Sequence, residues 1–166
     1  MLHIVSGCMF AGKTTELVNT YYRLIPTQTV LVIDYDTGSK KALDQFYVST
    51  HDGIIVPAMN LSVLTDICTQ YDVLLVNEAQ FFKGLKEFVL KELIKKKTVY
   101  LFGLDGDFKQ EKFGEILDLI PMSDTYKKLY ATCACGATAS FSKRLSTDLS
   151  QYSPHDTYIP VCRACL

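Results

Sequence analysis

The chain has 166 residues, 48% hydrophobic and 21% charged, which is enough apolar side chain for one full core and no sign of a disordered or low-complexity class. Its 17 basic and 18 acidic residues give a formal net charge of -1, without the basic excess of a nucleic-acid or anionic-membrane binder. No apolar run approaches the roughly 20 residues of a membrane helix, and the N-terminus lacks the basic-then-apolar pattern of a secretory leader, so a cytoplasmic setting with no membrane partner is expected.

Leu2-His3-Ile4-Val5-Ser6 is short, apolar and β-branched, and predicts a buried strand. A glycine-containing turn follows, and then Leu17, Tyr21 and Leu24 recur at helical spacing until Pro26 stops them. Thr29 to Ile33 predicts a second buried strand. Residues 35 to 52 have no clear period and predict a long loop. Ile54-Ile55-Val56 suits a short strand, and Asn60 suits the cap of a helix carrying Leu61, Leu64 and Ile67. Val73 to Val76 is a third buried strand. Residues 83 to 96 carry Leu85, Phe88, Val89 and Leu93 at helical spacing, with Lys95-Lys96-Lys97 as a solvated C-terminus suited to the helix dipole. Thr98 to Phe102 is a fourth strand, Phe113 to Ile120 a short helix ending at Pro121, and Lys127 to Thr132 a further strand. Strands alternating with helices predict an α/β fold with a parallel sheet, helices on both faces, and ligands at the carboxyl edge. The expected division is an α/β domain over 1–130 and a smaller unit over 131–166.

The turn after the first strand reads Gly7-Cys8-Met9-Phe10-Ala11-Gly12-Lys13-Thr14. It meets the pattern G-x-x-x-x-G-K-[ST] between a strand and a helix, which is the context of a phosphate-binding P-loop. The glycines allow backbone N–H groups to face phosphate oxygens, and the helix that follows aims its positive end at the same anion. Lys13 is expected at the β/γ-phosphates and the Thr14 hydroxyl at Mg²⁺. A P-loop by itself leaves GTPases, ATPases and many kinases open.

Phosphoryl transfer needs a carboxylate near the metal or the attacking oxygen. The third strand ends in Asn77-Glu78-Ala79-Gln80-Phe81-Phe82, where such an acid belongs. Glu78 is the candidate general base, and Asn77 offers only an amide oxygen to a metal. Of six cysteines, Cys133, Cys135, Cys162 and Cys165 form two close pairs separated by a loop, the pattern of a tetrahedral zinc site in a reducing compartment. A reduced or disulfide-bonded cluster is the alternative. Cys8 and Cys68 are expected to pack as small apolar groups.

Five segments together resemble the type II thymidine kinases of cells, poxviruses, bacteria and phages. They are Met-Phe-Ala-Gly-Lys-Thr-Thr-Glu-Leu at 9–17, Glu-Ala-Gln-Phe-Phe at 78–82, Gly-Leu-Asp-Gly-Asp-Phe at 103–108, Ala-Ser-Phe-Ser-Lys-Arg-Leu at 139–145 and Tyr-Ile-Pro-Val-Cys-Arg-Ala-Cys at 158–165. They run in order along essentially the whole chain. The resemblance implies transfer of the γ-phosphate of ATP to the 5′-hydroxyl of thymidine, with Glu78 as base. It also implies Gln80 and Phe81 near the nucleoside, Phe108 stacked on the base with Phe113 nearby, and Met9 and Ser142 at the 5-methyl group. Residues 149–156, with Leu149, Ser150, Gln151, Tyr152 and Ser153, would form a substrate-holding lasso closed by Tyr158. Structural zinc on the four cysteines would anchor both ends of that lasso. Phe82 and Phe102 are expected in the core. A homotetramer, feedback inhibition by dTTP and, by likeness to compact viral members, a host-cytoplasm setting are further implications.

Three positions depart from that pattern. Asn77 stands where the family usually has Asp, Asp36-Thr37-Gly38 lacks the arginine of an Asp-x-Arg motif, and Tyr152-Ser153-Pro154 replaces Ile-Gly-Gly. Lys40 or Lys41 would substitute for the arginine only as point charges. Asp36 is the expected metal-facing carboxylate in place of Asn77, and Asn77→Asp is expected to preserve or raise turnover. A kinase with altered nucleoside choice, such as deoxyuridine, and a catalytically weakened or dead member that binds nucleotide and associates with an active kinase are the competing readings.

Overall fold

The structure is a computed structural model, and it describes residues 1–36, 46–50, 52–65, 70–153 and 156–166. Its centre is a six-stranded parallel sheet ordered β5-β2-β6-β7-β1-β8. These strands are β1 (Leu2–Gly7), β2 (Val30–Tyr35), β5 (Met59–Leu61), β6 (Val73–Val76), β7 (Thr98–Gly103) and β8 (Thr125–Leu129). The short strands β3 (Tyr47–Ser49) and β4 (Ile55–Pro57) pair antiparallel as a hairpin. Two helices, α1 (Lys13–Leu24) and α2 (Leu85–Ile94), cover opposite faces. The predicted α/β class, parallel sheet and two-sided covering are all present.

The reason is visible strand by strand. In β6 all four residues are buried, so a continuous apolar run serves both faces at once. One face takes Ile4, Ile33, Val76 and Leu101 against Leu85, Phe88 and Val89 of α2. The other takes Val5, Val32, Leu75 and Phe102 against Leu17 and Val18 of α1, with Val48 and Val56 of the hairpin closing the end. Phe82 and Phe102 belong to this core.

Four local expectations are corrected. Asn60 does not cap a helix; it lies in β5, whose Met59, Asn60 and Leu61 pair with Ile33, Asp34 and Tyr35 of β2. The open edge of β2 outweighs the helical spacing of Leu61 and Leu64, while Ile67 and Cys68 fall outside the described residues. The loop expected over 35–52 contains β3. The helix expected from Phe113 is a 3₁₀ segment, Ile116–Met122, which runs through Pro121 rather than stopping before it. The strand expected over 127–132 is two strands, β8 and β9 (Ala131–Thr132), which join different sheets.

The lysine run is also not uniformly solvated. Lys97 is buried, and its Nζ lies 3.4 Å from the fully buried Glu92 carboxylate, which Lys95 also reaches at 2.8 Å. Replacing one member of such a pair leaves the other charged and out of water. Glu92→Leu is therefore expected to lower the unfolding free energy by about 3–5 kcal/mol, and adding Lys97→Met should recover much of it. Denaturant unfolding of the single and double variants measures both.

Beyond β8 the chain forms two small antiparallel pairs. β9 pairs with β10 (Thr138–Ala139), and β11 (Phe141–Arg144) pairs with β12 (Tyr158–Val161). Their shared apolar cluster is only Cys133, Ala139, Val161 and Cys162, with Ala131 and Phe141 beside it.

Candidate active site

The carboxyl edge of the sheet brings together the ends of β1, β2, β6 and β7. Gly7 closes β1 against β8, where a Cβ would meet the Leu129 carbonyl oxygen at 2.5 Å, so only glycine lets the two backbones approach. The loop Cys8–Gly12 then turns into α1. Lys13 folds back over it and donates from Nζ to the Cys8 carbonyl at 2.7 Å. Burial pushes the Lys13 ammonium below the usual lysine range, with Glu78, Cys8 and Asp105 pulling the other way. A half-buried cation beside the loop is well matched to an incoming phosphate.

Two cavities meet here. One, of about 220 Å³, is lined by the loop residues Met9, Phe10, Gly12, Lys13 and Thr14 together with Glu78. The other, of about 580 Å³, shares Met9, Thr14 and Glu78 and extends past Asp34, Asn77 and Gln80 to Tyr35, Phe81 and Tyr152. A third, of about 300 Å³, lies between Met9 and the segment carrying Tyr152, Ser153 and Tyr158.

Glu78 lies two residues past the end of β6 and has φ +50°, a left-handed conformation uncommon outside glycine. Its Oε2 accepts from Gln80 Nε2 at 2.6 Å, while Gln80 Oε1 accepts from the Leu104 backbone N–H at 3.0 Å. The Leu104 donor fixes which end of the amide faces Glu78. Gln80 is thus buried behind the carboxylate and holds it. At Gly114 (φ +63°) a Cβ would sit 2.2 Å from the Gln80 carbonyl oxygen, so glycine is required to seat that residue.

The other expected site residues fall as follows. Phe81 lines the large cavity, with Phe113 buried against its edge at 5.2 Å between ring centroids and Tyr152 at 4.7 Å. Phe113 supports Phe81 from behind and lines none of these three cavities. Ser142 Oγ accepts from the Met9 N–H at 2.9 Å, tying β11 to the phosphate loop. Phe108 also lies outside the three cavities, and the Arg144 guanidinium sits 4.1 Å from its ring centroid. Asp36 lies past the end of β2, bonded through its N–H to the Leu61 carbonyl. The carboxylate in the cavity beside Asn77 is Asp34, joined to the Asn77 amide at 2.8 Å. Gly38, Lys40, Lys41 and Pro154 lie outside the described residues.

Within 149–156, Leu149 is exposed and offers its carbonyl to Lys109, Gln151 donates to Asp107, and the Ser153 N–H donates to the Tyr158 hydroxyl. The organiser of this segment is Arg144. Its Nη1 donates to the carbonyls of Asp148 at 2.7 Å and Ser150 at 2.6 Å, its Nε and Nη2 reach the Tyr158 hydroxyl, and Nε pairs with Asp156 at 3.1 Å. Sequence reading gave no role to Arg144 or Asp34. The usable signals were a single acid in the apolar strand Val-Leu-Val-Ile-Asp-Tyr and a basic residue ending the short strand β11.

The sulfurs of Cys133, Cys135, Cys162 and Cys165 all lie within 4.8 Å of one another. Tetrahedral zinc at about 2.3 Å from each sulfur needs them about 3.8 Å apart, so the cluster fits the ion with small adjustments. Backbone N–H groups of Cys135 and Cys162 hold the Cys133 thiol down to about 6, while hydrogen bonding among the sulfurs pushes Cys165 up to about 12. All four positions are filled by protein, so such a site is structural. Among the described residues no helix is long and apolar enough to cross a membrane.

A family model described as thymidine kinase matches residues 1–166. A thymidine kinase of Oryza sativa subsp. japonica is 38% identical over 176 residues, covering 98% of this chain and 64% of that longer protein. Thymidine kinase 1 of Dictyostelium discoideum is 35% identical, covering 99% of this chain and 76% of its own length. A fowlpox virus thymidine kinase is 36% identical, covering 99% of this chain and 95% of its own length.

Proposed function

The chain belongs to the thymidine kinase family, and from that premise we propose that it transfers the γ-phosphate of ATP to the 5′-hydroxyl of thymidine. The observation that carries this reading is the shared wall between the phosphate-loop cavity and the larger one. Met9, Thr14 and Glu78 line both, so a phosphate held by the loop and an acceptor held in the larger cavity meet beside one carboxylate.

ATP is held by loop N–H groups and by Lys13, whose charge opposes the phosphate oxygens. The nucleoside presents its 5′-hydroxyl to Glu78, which Gln80 holds in place. Glu78 takes the hydroxyl proton as the 5′-oxygen bonds to the γ-phosphorus, and the bond from that phosphorus to the bridging oxygen breaks to release ADP. The Thr14 hydroxyl and Asn77 amide line the cavity where a nucleotide-bound Mg²⁺ would be held, and that ion would neutralise charge on the phosphate oxygens. Phe81 and Tyr152 give the sugar and base an aromatic wall. Residues 131–166 act as a substrate-binding unit on a structural zinc site, with Tyr158 and the 149–156 segment closing over the base. Exposed apolar side chains at α1 and the hairpin, among them Tyr22, Ile54 and, just past α1, Ile25, support the homotetramer that the resemblance implies.

Thymidine-dependent release of ADP tests the reading. The purified chain should form ADP and dTMP in equal amounts and release little ADP without thymidine. ADP release indifferent to thymidine would make it an ATPase.

Arg144→Lys tests the closing segment. A lysine cannot fork to two carbonyls and a hydroxyl at once, and each lost charge-assisted bond is worth about 1.5–3 kcal/mol. The KM for thymidine should rise by about tenfold or more, with ADP affinity by calorimetry unchanged.

A further inference from the structure

The tip of β6 carries an amide, Asn77, where P-loop proteins hold their metal with an aspartate. A carboxylate is nevertheless present in the same place, supplied by the neighbouring strand. β2 and β6 are parallel, with Ile33 opposite Val76, so Asp34, still paired with Asn60 of β5, and Asn77, just past β6, lie side by side at the sheet's carboxyl edge. Asp34 is only 5% exposed, and its Oδ1 accepts from Asn77 Nδ2 at 2.8 Å and from the Tyr35 N–H at 3.1 Å. It lines the large cavity together with Thr14 and Glu78. The rest of β2 is apolar except its terminal tyrosine, so the acid stands out in a strand that otherwise serves the core.

We propose that Asp34 is the carboxylate that holds the divalent cation of the bound nucleotide, with the Asn77 amide orienting it. The acid has in effect moved from the tip of β6 to the tip of β2. This inference rests on the proposed phosphate site but not on the identity of the acceptor. It also explains why position 77 carries an amide. An aspartate there would place two carboxylates at hydrogen-bond distance, where they repel or share one proton.

The test uses Mn²⁺ binding to the full chain with saturating ADP, read from the amplitude of the free Mn²⁺ signal in electron paramagnetic resonance. ADP affinity without metal is measured by calorimetry in EDTA. Asp34→Asn should weaken Mn²⁺ binding about 10- to 100-fold and leave metal-free ADP affinity unchanged. The exchanged variant Asp34→Asn/Asn77→Asp keeps one acid and one amide in contact and should recover Mn²⁺ binding to within a few-fold. If Asp34→Asn does not fold, the exchanged variant decides, judged against a wild-type thermal transition. Unchanged Mn²⁺ binding in Asp34→Asn, no recovery in a folded exchanged variant, or loss in Asp36→Asn in its place would each overturn the proposal. None of these readings needs thymidine, so a chain that failed to phosphorylate it would refute the proposed acceptor and leave the assignment of Asp34 to be decided by the metal.

Discussion

Glu78→Gln should lower kcat for thymidine phosphorylation by about 10²–10⁴, the usual worth of a positioned general base, and leave ADP affinity within about twofold of wild type. The substitution is a clean one at this position. The carbonyl oxygen of a glutamine can still accept the hydrogen bond that Glu78 takes from Gln80 at 2.6 Å, and the side-chain volume is unchanged. Only proton acceptance is removed. Glu78 sits at φ +50° at the head of the 3₁₀ turn Ala79–Phe81, a backbone posture costing about 1–3 kcal/mol that persists only where the surroundings impose it. Here Gln80 and Leu104 impose it, and the result is a carboxylate aimed at the junction of the two cavities. Rapid-quench measurement of a single turnover, alongside calorimetric ADP binding, separates the chemical step from nucleotide affinity. A wild-type single-turnover rate in Glu78→Gln would remove Glu78 as the base.

The second large effect is expected from the cysteine cluster. Cys162→Ser, or removal of zinc by a chelator, should abolish thymidine binding while the phosphate loop still binds ADP. The unit built from β9 to β12 buries too few apolar side chains to stand alone. A structural zinc site contributes about 10–16 kcal/mol in small folded peptides, far more than that cluster can supply. Cys162 follows β12, and β12 holds both Tyr158 and the register of β11, which carries Ser142 and Arg144. Losing the metal therefore loosens the closing segment and the contact from Ser142 to the Met9 backbone together. Because thiols must give up their protons to bind zinc, chelation should become faster as pH falls from 8 to 6. Zinc content by atomic emission, thymidine binding and ADP binding on one sample measure the coupling.

The sheet and the phosphate loop were legible in the sequence because both are local. Buried parallel strands are continuous apolar runs, and the loop is set by glycines within one octamer. What was hidden depends on distant partners. Asn60 looked like a helix cap because Leu61 and Leu64 have helical spacing, yet the unpaired edge of β2 claimed it as a strand. β3 escaped notice because it has three residues and buries only Val48. Gln80 lines the large cavity, and its bonds to Glu78 and to Leu104, 24 positions away, were not legible in the sequence. Phe108 was expected on the base, but in this structure the Arg144 guanidinium sits on its ring. Asp34 falls one residue past the strand expected over Thr29 to Ile33, and its place emerged only when β6 set Asn77 against it. The four cysteines were legible as a group because their pairing is written in spacing, and the structure brings their sulfurs within reach of one ion.

Transfer of radiolabel from γ-labelled ATP bears most directly on the proposed reaction. With thymidine as acceptor the chain should move the label to the 5′-oxygen and yield labelled dTMP. With 5′-deoxythymidine, which keeps the base and the 3′-hydroxyl but has no 5′-hydroxyl to deprotonate, it should yield no labelled nucleoside. Label released as inorganic phosphate at the same rate with either compound, or tight ATP binding with no label transferred at all, would contradict the account.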